Sequence, residues 1–171
     1  IVRINGIEVD RVAIAPNARW VVRGDRGLTY AKTPPPYSRV VAGKWWPADY
    51  SGPPVISLDA GIARGFGVGV GDTLSFNILG REITATIANL RRIDWISLAM
   101  NFVVIFAPGT LEGAPQTHIA TVKAAPGSEE AVRSAVTSRF ANITAIHVRD
   151  ALEAAAAILA AIATAGRATG A

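Results

Sequence analysis

Residues 63 to 76, ARGFGVGVGDTLSF, set four glycines at alternate positions from Gly65 to Gly71. Glycines this dense can bring a backbone close to a phosphate, which is the chemistry of a nucleotide-binding enzyme. A dinucleotide fingerprint needs G-x-G-x-x-G after a strand and at the opening of a helix. Gly65 and Gly67 begin that spacing, but Val70 stands where the third glycine belongs. The order is also reversed, with helix periodicity before the glycines and strand alternation after them. No GK[ST] tripeptide is present. The stretch reads instead as a corner. Gly67 ends a helix in the left-handed cap, Val70 returns to the core, Gly71-Asp72 turns, and Thr73 opens a strand.

Other residue types capable of chemistry are sparse. His118 and His147 fall on strand-like segments flanking one helical segment, yet a metal site needs a further ligand, and no His, Asp or Glu cluster accompanies either. No G-x-S-x-G nucleophile elbow occurs, and Ser57 within VISLD reads as a helix cap. Asp59 and Asp72 are spaced as turn or cap residues rather than as an acid–base pair. The chain has no cysteine, which excludes disulfides and thiol chemistry. The expectation is a non-enzyme with no catalytic residue, no metal and no cofactor. The remaining candidates are aromatic: Trp45, Trp46 and Tyr50 in GKWWPADYSGPP, and Trp95 ahead of ISLAMNF. Exposed aromatics anchor apolar ligands or partner proteins. The competing reading is that they pin an irregular segment onto a sheet.

Composition narrows the classes further. The chain has 171 residues and a formal net charge of +4, with a sequence pI near 10.0. Its arginines are scattered in runs no longer than two, unlike the clustered stripe of a nucleic-acid surface, so no nucleic-acid partner is expected. Mild attraction to anionic lipid headgroups fits the same charge. No uncharged apolar stretch reaches the roughly 18 residues that span a bilayer. A chain opening on Ile1 reads as a piece of a longer protein.

The elements that must position these residues follow from periodicity. Ile1 to Ile14 alternates around a tight turn at Asn5-Gly6. WVVRGDRGLTY predicts a short strand and a glycine turn, and TPPPYS a proline-rich connector. Val55-Ile56 is strand-like, and Ser57 caps a short helix with Leu58, Ile62 and Phe66 on its apolar face. Leu74 to Ile78 and Ile83 to Ala88 alternate around Leu79-Gly80 as a hairpin. FVVIF, Phe102 to Phe106, is a strand covered on both faces. Further on, His118 to Lys123 predicts a strand, Ser128 opens a helix with Glu129 and Glu130 in its first turn, and Asn142 to Val148 predicts another strand. Asp150 with Glu153 caps a last helix, apolar nearly all round from Ala154 to Gly166.

The corner carries a resemblance. IARGFGVGVGDTLSF resembles the LA-x-x-LGL-x-VGD-x-L segment of extracytoplasmic domains in MacB/FtsX-like ABC transporter permeases, on Phe66, Gly67, Val68, Val70, Gly71, Asp72, Thr73 and Leu74. WVVRGDRGLTY, SRVVAGKWWPADYSGPPVISLD, GREITATIANLRRIDW, NFVVIFAPGTLEGAPQTHIATVKA and ITAIHVRDALEAAAAIL resemble its YbbP-like branch in matching order, over nearly the whole chain. The resemblance implies an α+β fold. Residues 1–28 and 116–149 would form a porter-type α/β subdomain, 29–115 an inserted, mostly β sabre-type subdomain, and 150–171 an apolar stalk helix toward a transmembrane span. The opening β-α part of the porter subdomain has no counterpart before Ile1.

Function follows from the same resemblance. It implies a non-catalytic domain on the periplasmic face of the bacterial inner membrane, coupling ATP hydrolysis to export or extraction of lipid-like cargo. Its partners would be a cytoplasmic ATP-binding subunit, a second permease copy, the hydrophobic cargo, and the membrane through flanking helices. The alternative is an interaction module that recruits or activates a periplasmic esterase, lysophospholipase or cell-wall hydrolase. In either case Trp45, Trp46, Tyr50 and Trp95 are the expected contact residues. A stand-alone enzyme would require a metal held between His118 and His147.

Overall fold

The computed structural model of the chain describes residues 1–94 and 100–146. Trp95, His147, Val148 and the helix expected within 150–171 lie outside the described residues. The chain divides into two compact units, Ile1–Thr121 and Val122–Ala171.

The first unit is built on one mixed sheet. Strands β1 (Arg3–Ile4) and β2 (Ile7–Glu8) form the expected N-terminal hairpin. Its turn places Asn5 and Gly6 at φ 48° and 77°, a left-handed pair suited to these residues. β3 (Thr29–Tyr30) follows a 3-10 turn at Arg19–Val21. Then come β4 (Ser38–Gly43), β5 (Val55–Asp59), helix α1 (Ala60–Phe66), β6 (Thr73–Ile78), β7 (Arg81–Ile93) and β8 (Val104–Phe106). The strand order is β2-β1-β6-β7-β5-β8-β3, with β4 added on β7. β5 with β7 and β3 with β8 are parallel, and the other pairs are antiparallel. The class is α+β.

The long β7 organises the sheet. Residues 81–86 pair with β6, 86–91 with β5, and 89–93 with β4. β5 takes one edge, so β6 and β4 succeed one another along the other. The glycine corner fills the junction between them. Gly71 N–H donates to Ile87 O at 2.9 Å, and Ile87 N–H donates to Asp72 O at 2.8 Å.

Helix α1 begins later than the sequence pattern indicates. Ser57 was expected to cap it but lies inside β5, fully buried. β5 is paired on both edges as far as its end, so Leu58 too is a strand residue. Asp59 takes the capping role. Its Oδ1 accepts from Gly61 N at 2.8 Å and Ile62 N at 3.0 Å. Ile62 and Phe66 are buried on the helix as expected. Gly67 ends it at φ 69°, and Val68 N–H reaches back to Ala63 O at 3.0 Å. That closure turns Val68, not Val70, toward the apolar cluster. Val70, expected in the core, is 48% exposed.

The main core lies on the α1 side of the sheet. Ile4, Ile56, Leu58, Ile62, Phe66, Leu74, Phe76, Ile87 and Phe106 belong to one buried cluster. Phe76 and Phe106 meet edge-on at 5.1 Å between centroids.

In the second unit, helix α2 (Glu129–Arg139) forms where predicted, with Glu129 and Glu130 in its first turn. Ser128 Oγ donates to Ala125 O instead of capping the helix. Two predicted strands are absent among the described residues: 118–123 and 142–146 carry no strand. Both alternate in sequence, but alternation specifies a face and not a hydrogen-bonding neighbour, and neither segment has one. Ile119 and Val122 are accordingly 64% and 71% exposed. No described helix is long and apolar enough to cross a membrane.

Candidate functional site

The face of the sheet away from the main core carries the aromatic segment. Its construction depends on a bulge. Ile56 lies opposite Ile87, but Ser57 lies opposite Asn89, so Ala88 is an extra residue in β7. A one-residue slip moves every later side chain to the other face. Ala85 and Ile87 therefore join the main core before the bulge and Leu90 after it, while Ala88 joins a second cluster. Asn89 and Arg91 are carried to that second face, opposite Ser57 and Asp59 of β5.

A buried polar chain results. Ser57 Oγ donates to Asn89 Oδ1 at 2.6 Å, and Asn89 Nδ2 donates to Lys44 O at 3.2 Å. Arg91 Nε donates to Ser57 Oγ at 3.0 Å, and its Nη2 donates to the carbonyls of Phe102 and Val103. Arg91 is 1% exposed, and its Nη1 has no hydrogen-bond partner among the described residues. Burial pulls the Arg91 guanidinium down to about 10, against an opposing pull from the Asp59 carboxylate. It remains a cation at neutral pH. Val103 O also accepts from Asp59 N at 3.0 Å, so the chain at 102–103 is held from two strands.

The aromatic segment sits on this base. Trp46 is 6% exposed in a cluster with Ile105 and Ala107, and its indole N–H donates to Ala31 O at 2.8 Å. Trp45 is half-buried, donates to Lys32 O at 2.9 Å, and packs its ring 4.2 Å from that of Trp46 at 33°. Tyr50 is also half-buried, and its hydroxyl donates to Pro53 O at 2.6 Å. The structure thus gathers Trp45, Trp46 and Tyr50 into one cluster. Trp45 and Tyr50 present the accessible part of it. Trp95, the fourth expected contact residue, lies outside the described residues.

The groups beneath the cluster are held by hydrogen bonds and are not arranged for proton transfer. Ser57 is bonded to an amide oxygen and a guanidinium, neither of which can accept its proton as a base, so its hydroxyl is not activated. His118 is exposed, and among the described residues no group of three His, Cys, Asp or Glu side chains could hold a metal ion. Asn89 and Arg91 were missed by sequence reasoning, which ended the hairpin at Ala88. The signal was present as continued alternation through Asn89, Arg91 and Ile93, all buried. It is concealed because two of the three are polar.

One curated protein gives the chain a relative. Over 97 residues, 56% of this chain, it is 37% identical to the uncharacterized ABC transporter permease YbbP of Escherichia coli (strain K12). The match covers 11% of that permease, so the chain spans a small part of the relative's length. This part of the chain is homologous to part of an ABC transporter permease. No protein-family model matches the chain. No solved structure is significantly similar to it.

Proposed function

We propose that the chain is part of the extracytoplasmic domain of an ABC transporter permease, on the periplasmic face of a bacterial inner membrane. The observation that carries this reading is the 37% identity over 97 residues to YbbP. The domain does no chemistry of its own. ATP is hydrolysed on a separate cytoplasmic subunit, and two permease copies carry the motion outward to an amphiphilic, lipid-like cargo. Residues 1–28 and 116–149 correspond to a porter-type part, 29–115 to a sabre-type part, and 150–171 to a stalk approaching the bilayer. Trp45 and Tyr50, held on the base that buried Trp46 forms, contact cargo or partner together with Trp95. A half-buried tryptophan over a hydrogen-bonded base supports that role, because it offers apolar area at low entropic cost.

Side of the membrane is the first test. This chain has no cysteine, and Leu79 is 75% exposed. Leu79→Cys in the full-length permease, stripped of other cysteines, should react in intact cells with a maleimide that crosses the outer but not the inner membrane. Labelling only after the inner membrane is broken would overturn the periplasmic assignment. Cargo class is tested on the purified permease–ATPase complex. Lysophospholipid should stimulate its ATPase, and Trp45→Ala should blunt the stimulation while leaving the basal rate. Stimulation equal in the two would remove Trp45 from cargo contact.

A further inference from the structure

At the far end of β7, two arginines are set side by side. Arg39 of β4 and Arg92 of β7 are direct cross-strand partners in an antiparallel pair, and both are exposed. Side chains so placed share one face, with Cβ atoms roughly 5 Å apart. Like charges directly opposite destabilise a strand pair. Neither arginine forms an ion pair with a described residue. Residues 37–39 and 92–94 line an open depression of about 520 Å³ at this point. Tyr37 stands at its rim, 61% exposed, with φ at 60° in the left-handed region that a bulky residue seldom adopts. Such strain persists only where surrounding structure enforces it, and here the Tyr37 carbonyl is fixed by Asp94 N–H at 2.9 Å. Among the described lining residues, Asp94 contributes one carboxylate against two guanidinium groups.

We propose that the depression formed by Tyr37, Arg39, Arg92 and Asp94 is a binding site for a phosphate ester. Two guanidinium forks approaching from neighbouring strands suit a tetrahedral oxyanion with several free oxygens, whereas a carboxylate is satisfied by one. Neutralising the pair removes the cross-strand repulsion, so the bound state gains what the empty sheet forgoes. Tyr37 adds an aromatic wall and a hydroxyl for the esterified portion. The site stands on these side chains and does not depend on the transporter reading. Its ligand is either a soluble phosphate monoester or the phosphate of a lipid headgroup, the shared chemistry being the oxyanion.

Amide NMR of the whole chain distinguishes these. Glycerol 3-phosphate, inorganic phosphate and chloride at matched ionic strength are titrated in turn, alongside vesicles of phosphatidylcholine with and without phosphatidylglycerol. Perturbation at residues 37–39 and 92–94 by the phosphates, but not by chloride, is the expected result for a soluble ester. Retention on phosphatidylglycerol vesicles without response to free phosphate would place the phosphate in a bilayer. In either case the double variant Arg39→Gln/Arg92→Gln should weaken binding about tenfold. Its remaining amide spectrum should be unchanged, since relieving like-charge repulsion does not unfold the sheet. Equal response to chloride, absence of response to every probe, or undiminished binding by the double variant would overturn the proposal.

Discussion

Arg91 decides more than any other single residue. Its stem crosses the second face while its donors reach Ser57 and the carbonyls of Phe102 and Val103. Removing it leaves a cavity and unpaired buried acceptors together, so Arg91→Ala should cost about 3–5 kcal/mol in urea unfolding. Arg91→Met keeps the stem's volume and loses only the donors, and should cost about 1–3 kcal/mol. Equal losses would mean that packing of the stem contributes nothing. The charge itself has a pH signature. Burial lowers the folded value to about 10 from the ordinary, higher arginine value, so in the window between the two the unfolded chain binds the proton more tightly. The penalty of a buried cation is therefore fully present at neutral pH and is relieved as pH rises through that window. Stability of the natural chain relative to Arg91→Met should thus improve from about pH 9 to about pH 11. Residues acting locally were legible without the structure: Asp72 as a turn residue and Gly67 as the left-handed cap each act on backbone a few positions away, whereas the helix cap, expected at Ser57, falls on Asp59. Asn89 and Arg91 were not, because their partners lie 32 and 34 positions away in Ser57.

β7 shows how one element can be half legible. Its first half, with β6, reads plainly as a hairpin, because the turn residues and the alternation agree. Its second half leaves that pattern at the Ala88 bulge, and β4 stays hidden with it, since SRVVAG is a strand only where that half is present to pair it. The segment 118–123 shows the reverse error, alternation with no neighbour. Gly43 tests the junction. Its φ is 72°, and a Cβ there would sit 2.2 Å from Ala88 O beside the bulge. Gly43→Ala should lose more than about 2 kcal/mol from strain and clash together. A smaller loss would show that β4 can lift from β7 at little cost. Arg92→Thr should act in the opposite direction. It removes the charge opposite Arg39 and places a β-branched residue in a strand, for a gain of about 0.2–1 kcal/mol in thermal unfolding. A gain in stability at the expense of phosphate binding is the signature of a residue kept for function. Loss of stability would instead make Arg92 a structural member of the pair.

On the scale of the whole molecule, every strand paired among the described residues has its partner within Ile1–Thr121, and both buried clusters found among them lie there as well. A body that satisfies its own backbone and buries its own apolar faces needs nothing further along the chain to fold. Residues 1–121 alone should therefore unfold in one cooperative transition, with a midpoint close to that of residues 1–171, and keep the near-ultraviolet signal of the packed Trp46. A broad, weakly cooperative melt would show that 122–171 completes the sheet or its cover. The outcome bears on the proposed transport role. If the first unit folds alone, the aromatic segment and the arginine pair ride on one rigid body held by β7. On the proposed permease role, motion would then have to move that body as a unit. Substitutions along β7 would, on that same role, change stability without changing coupling, whereas changes near Thr121 would weaken coupling and leave the fold intact.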